Sequence, residues 1–126
     1  MRLAILILLN LFSSYLFSQG KAELNFEKEI IKLGKVKEGE VLNFEYYFTN
    51  TGTEPLLITD IKVTCTCTKF EYPKNPVGPG EKQVIKVSFD TKNKIGYQDR
   101  TLEVYSNAKK SPKIIRFKVD VDNRKK

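Results

Sequence analysis

The feature that most constrains this chain is a two-residue alternation of apolar and polar side chains, repeated in short runs after Gly20. Phe44, Tyr46 and Phe48 fall on one face of such a run, with Glu45, Tyr47 and Thr49 on the other. Successive side chains of a strand point to opposite sides, so this period gives each run one buried and one wet face. Ile85, Val87 and Phe89 repeat the pattern, as do Leu102-Glu103-Val104-Tyr105 and Ile115-Arg116-Phe117-Lys118-Val119-Asp120-Val121. Residues 56–63 form a further run rich in β-branched side chains. Its alternation slips between Ile58 and Ile61, which predicts a bulge. Two shorter segments, 24–26 and 30–33, come first. No long window carries a helical stripe.

Turn chemistry separates the runs. Asn50-Thr51-Gly52-Thr53-Glu54-Pro55 follows the first long one, and Pro73, Pro76, Gly78, Pro79 and Gly80 punctuate a loop unfit for a central strand. Lys92-Asn93-Lys94-Ile95-Gly96 and Asn107-Ala108-Lys109-Lys110-Ser111-Pro112 fill the remaining gaps. Strands are therefore predicted near 41–50, 56–64, 83–90, 101–106 and 114–121, about seven in all with the short ones. Such spacing over about 100 residues reads as an all-β, immunoglobulin-like β-sandwich. The 126 residues allow one domain, placed at 21–122, with a basic tail at 123–126. At this size about 65% of the unfolded surface is buried on folding, enough for a core of Phe44, Phe48, Ile61, Val87, Phe89, Val104 and Phe117.

Residues 1–20 have a different character. Met1-Arg2 is a short positive start, the apolar run from Leu3 reaches Phe17, and Ser18-Gln19-Gly20 supplies small residues for cleavage. This is the layout of a secretory signal peptide. Asn10, Ser13 and Ser14 interrupt a stretch already shorter than the ~20 residues of a membrane span. No Cys follows it to carry a lipid. An exported protein of the periplasm or cell envelope is expected, with no membrane span after cleavage.

Composition removes several chemistries. The chain has no His, so Ser-His-Asp and Cys-His catalysis are excluded within it. Two Cys cannot complete a four-thiolate zinc site. The net charge of +7 is spread over alternating lysines, the pattern of a solvated sheet face that discourages edge aggregation. Nucleic-acid binding is not expected; weak attraction to anionic surfaces stays open. No cofactor is expected, and no catalytic or metal-ligating residue is assigned.

Cys65-Thr66-Cys67-Thr68 is the one chemically pointed segment. With no Trp and a single residue between them, these Cys cannot be the inter-sheet bridge of antibody domains. On a straight strand their Cα atoms would lie about 6.6 Å apart at ~3.3 Å per residue, so a disulfide requires a local bend. Three readings stand: a local disulfide, two buried thiols packed as small apolar groups, or a working site for redox exchange or soft metal.

Leu33-Gly34-Lys35-Val36-Lys37-Glu38-Gly39-Glu40, Phe48-Thr49-Asn50-Thr51-Gly52 and Pro55-Leu56-Leu57-Ile58 open an ordered series of motifs. Cys65-Thr66-Cys67-Thr68, Pro79-Gly80-Glu81, Val87-Ser88-Phe89-Asp90-Thr91 and Leu102-Glu103-Val104-Tyr105-Ser106-Asn107 complete it. The series resembles the exported bacterial domain-of-unknown-function family numbered 1573, common in Bacteroidetes. That family is similar in turn to Hydin-type and major-sperm-protein-like sandwiches. The resemblance implies an exported immunoglobulin-like sandwich without an established activity and supplies no catalytic residues. The family usually has Cys-Gly-Cys-Thr, so Thr66 departs from it, as Leu33 departs from a Phe.

The remaining marked residues have plain expectations. Gly39 and Gly52 are assigned to turns with positive φ, and Asn50 and Asn107 to hydrogen bonds with their own backbone past a strand end. Glu38 and Glu40 read as solvated loop charge. Tyr47 and Tyr97 are candidates for an exposed interface. The expected function is a non-enzymatic cell-envelope interaction module that binds a protein partner through a sheet edge or face. The alternative is a thiol-dependent redox or soft-metal carrier using Cys65 and Cys67.

Overall fold

The computed structural model describes residues 21–124. The expected signal peptide lies outside them. The described residues form eight strands: β1 Leu24–Phe26, β2 Ile30–Lys37, β3 Val41–Asn50, β4 Ile58–Val63, β5 Thr68–Glu71, β6 Lys82–Asp90, β7 Gly96–Ser106 and β8 Lys113–Asp122. The first sheet has the order β1-β3-β6-β5 and the second β2-β8-β7-β4. All neighbours are antiparallel except β2 and β8, which run parallel. The protein is an immunoglobulin-like β-sandwich.

Alternation places the core between the sheets. Tyr46 and Phe48 of β3, Ile85, Val87 and Phe89 of β6, Leu102 and Val104 of β7, and Ile115, Phe117 and Val119 of β8 are buried. Phe117 meets Phe44 and Phe89 with ring centroids 4.9 and 5.0 Å away. Burial of such a side chain stabilises by about 1.5–3 kcal/mol. Of the seven expected core residues only Phe44 is partly exposed, packed against the rim of the cluster. Tyr46 adds a polar tie, its hydroxyl donating to the Arg116 carbonyl of the facing sheet at 2.8 Å. Burial pushes its phenol well above the usual tyrosine range.

Several boundaries differ from the expected ones, each for a physical reason. β7 begins at Gly96, not near Thr101, because its first inward positions are Gln98 and Arg100, which break the apolar pattern. They still pair with Val119 and Phe117 of β8. β5 was not anticipated: four residues with one inward apolar side chain, Phe70, give too little period to read. The run expected over 56–64 starts as a strand only at Ile58. Buried Leu56 instead exchanges backbone hydrogen bonds of 2.8 and 2.7 Å with Val77 of the proline-rich loop. The slip between Ile58 and Asp60 is the anticipated bulge.

Gly39 has the expected positive φ, +98°. Gly52 does not. A Cβ there would stand 2.0 Å from the Lys21 carbonyl oxygen and 2.6 Å from the Glu23 nitrogen, so glycine is required by close approach of the β1 lead-in.

Candidate functional site

The cysteines sit where the chain leaves β4 in the second sheet and enters β5 in the first. Residues 65–68 form a tight turn closed by the Thr68 N–H donating to the Cys65 carbonyl at 3.1 Å. The bend brings the Cα atoms of Cys65 and Cys67 to 5.2 Å, and the two sulfurs are paired as a disulfide. Thr66 is exposed at the tip while both cysteines are half-buried. Its φ is not positive, so a β-branched residue stands where the family usually has glycine. The Cys67 carbonyl accepts the Asp90 N–H at 3.0 Å, tying the turn to the end of β6. The pair therefore closes the corner that joins the two sheets. Among the described residues no group of three or more Cys, Asp or Glu side chains is arranged to hold a metal ion.

Tyr47 and Tyr97 do not form one patch. Tyr47 lies on the outer face of the first sheet and Tyr97 on that of the second, 43% and 64% exposed. The Tyr47 hydroxyl donates to Glu45 at 2.6 Å, and Lys82, ion-paired with Glu27, lies over its ring. The Glu45 hydrogen bond and charge raise the Tyr47 phenol above its ordinary value. Tyr105 is raised likewise, first by its bond to Glu103.

Asn50 exceeds its expected part. Fully buried, its side-chain oxygen accepts the N–H groups of Glu23 and Gly52 at 3.2 and 3.0 Å. Its amide donates to the carbonyls of Glu54 and Val77 at 2.7 and 3.0 Å. Its own carbonyl accepts from Gly80 and its N–H donates to the Glu81 carbonyl. Two of the sequence motifs thus meet at one residue, which locks β1, the turn after β3 and the proline-rich loop together. Asn107 reaches another segment, accepting from Leu57 N–H and donating to the Pro55 carbonyl. Glu38 and Glu40 are exposed, as expected. In the basic tail, Arg124 is held by a two-pronged contact with Asp122, whose carboxyl it keeps well below the usual range.

Two concavities mark the surface. An open groove of about 830 Å³ crosses the first sheet, lined by Asn43, Glu45, Lys69, Glu71, Lys86 and Ser88. A second cleft, about 480 Å³, lies between β1 and the β7–β8 turn, with Leu24 and Ala108 in its wall and Lys109, Lys110 and Lys113 beside them. Sequence reasoning took 107–112 as a turn only. The adjacent Lys109 and Lys110 were its visible signal, but their position beside β1 depends on how the sheets stack. Among the described residues no helix is long and apolar enough to cross a membrane.

No curated protein matches this chain. Among solved structures it is similar to a protein of unknown function from Porphyromonas gingivalis W83, with 17% identity, a TM-score of 0.64 and coverage of 82% of this chain and 46% of that one. It thus spans less than half of that protein. It is also similar to the ASH / PapD-like domain 7 of human CEP192, with 13% identity, a TM-score of 0.58 and coverage of 84% and 88%. A C. elegans MSP family member, WR4, matches with 9% identity, a TM-score of 0.50 and coverage of 79% and 97%. At these identities the likeness is one of fold. The sequence itself is matched from residue 24 to residue 121, and the chain belongs to the family described as protein of unknown function, DUF1573.

Proposed function

We propose that this domain is a non-enzymatic interaction module, exported to the periplasm or cell envelope, that binds a protein partner through a sheet edge. The observation that carries the reading is the sandwich's open edges: among the described residues, β1 and β5 each leave one side of a hydrogen-bonding ladder without a neighbouring strand. An unpaired ladder is a template for an added strand. The second sheet is less suited, because both of its edge strands, β2 and β4, are interrupted by register shifts. The signal-peptide layout of residues 1–20 supports the exported compartment.

In this reading the Cys65–Cys67 pair is a structural staple at the sheet-to-sheet corner, not a carrier. The test places a photo-crosslinking side chain at the positions of Asn25, Lys69, Lys35 and Tyr97, one at a time, in cells making the full chain. A discrete protein adduct from at least one edge or face supports the module; no adduct from any position overturns it. N-terminal sequencing of the product should begin between Gln19 and Ala22, and an intact Met1 refutes export by a cleaved signal.

A further inference from the structure

We propose that the open edge of β1, flanked by Lys109 and Lys110, receives an extended acidic peptide segment as an added strand; this deepens the edge-binding reading and rests on it.

The ladder geometry is explicit. Thr51 N–H donates to the Glu23 carbonyl and Glu27 N–H donates to the Tyr47 carbonyl, both at about 3 Å, so the odd residues of this segment face β3. In an antiparallel ladder the residues between them turn their N–H and C=O groups the other way. Leu24 and Phe26 therefore present theirs to the open side. The pairing runs from Glu23 to Glu27, longer than the three-residue strand proper. That edge borders the cleft of about 480 Å³, room for a strand.

The walls give the occupant its chemistry. Leu24 and Ala108 supply a partly buried apolar floor. Lys113 is ion-paired with Glu29 at 2.7 Å, but among the described residues neither Lys109 nor Lys110 has a carboxylate partner. The carboxylate of Glu23, also in the cleft wall, accepts the Thr51 hydroxyl at 3.2 Å. Lysines beside an edge repel a basic strand, lose hydration without compensation against a neutral one, and favour one with carboxylates at alternate positions, where strand side chains share a face. The edge lysines thus act as a filter for partner charge.

The test titrates the protein, purified from exporting cells, with a seven-residue peptide of alternating glutamate and valine, read by amide chemical shifts and calorimetry. Shifts should concentrate at 23–27 and 108–113, and affinity should fall as salt rises. K109E/K110E should weaken binding by about tenfold or more. Methylating alternate peptide nitrogens should abolish binding without altering the protein. Equal binding of a lysine–valine twin, unmoved β1 amides, or self-association of the protein in place of peptide binding overturns the proposal. The crosslinking experiment separates the two levels. Adducts at Lys69, Lys35 or Tyr97 with none at Asn25 overturn this edge and leave the interaction module standing, while no adducts anywhere overturn both.

Discussion

Replacing Asn50 with Ala is the most informative perturbation, because one side chain serves four backbone groups from three segments: the lead-in to β1, the turn after β3 and the proline-rich loop. Each intramolecular hydrogen bond contributes about 1 kcal/mol net, and a buried group left without a partner costs about 1–3 kcal/mol. The bond to Val77 is fully buried, but that carbonyl keeps the Leu56 N–H, so it loses one of two donors and the loss is counted as four bonds of about 1 kcal/mol each. Water reaches the groups of Glu23 and Glu54 more easily, since both residues are exposed. The expected loss is about 3–4 kcal/mol, a large part of the 5–15 kcal/mol typical of a domain. Urea unfolding followed by circular dichroism should show a midpoint lowered by about 2 M, for a slope of about 1.5 kcal/mol per M. Asn50→Asp tests the same reasoning from the other side. It keeps the acceptor for Glu23 and Gly52 but sets a second oxygen against the carbonyls of Glu54 and Val77. The folded state then favours the protonated acid, so this variant should be more stable at pH 4 than at pH 7 relative to the parent. A midpoint shift under about 0.5 M for N50A, or an N50D penalty independent of pH, would refute the account.

Gly52→Ala should cost more than Gly39→Ala, since its Cβ would meet backbone at 2.0 Å whereas Gly39 has open space and only its φ of +98° to contend with. About 1 kcal/mol for Gly39 and more than about 2 for Gly52 are expected from thermal unfolding, and the reverse order would discredit the close-approach argument. Serine at both Cys65 and Cys67 should leave a folded domain weaker by about 1–3 kcal/mol in urea, because the ring closed is minimal. Loss of a bound metal or redox partner with unchanged stability would favour the carrier reading instead. At alkaline pH the buried Tyr46, whose folded value is raised, contributes stability that is complete below about pH 10, the unfolded value, and is lost as pH rises through the folded one. Y46F should remove that dependence from urea midpoints measured between pH 9 and 12; a slope unchanged in Y46F assigns the alkaline loss elsewhere.

Strands with a strict two-residue period were legible. β3 has its expected bounds, and β6 and β8 fall within a residue of theirs, because each buries one whole face against the other sheet. What escaped lay where that contrast fails. Gln98 and Arg100 face inward at the mouth of the sandwich, and β5 carries a single inward ring. Gly52 was assigned to the right loop for the wrong reason, since a φ preference and a crowded Cβ leave the same letter in a sequence. The cysteine turn was half legible: a shared face and the need for a bend were readable, but its place at the crossing between sheets was not. The cleft beside β1 was invisible because its walls come from segments about eighty residues apart, brought together only by the stacking of two sheets.

The parallel pairing of β2 with β8 sets the order in which this molecule can be built. Its register joins Ile30 to Arg116 and Lys37 to Asp122, so the second strand has no neighbour until the eighth has been synthesised. A chain emerging from the ribosome must carry β2 as an unpaired, half-apolar ribbon for nearly its whole length. Non-local pairing of this kind places folding in the slower range, about milliseconds to seconds, with aggregation-prone strands exposed meanwhile. A chain ending before Lys113 would leave β2 unpaired and give β7 a single neighbour. In this topology the last ten residues of the sandwich act as a completion signal: only their arrival lets β2 become part of a sheet.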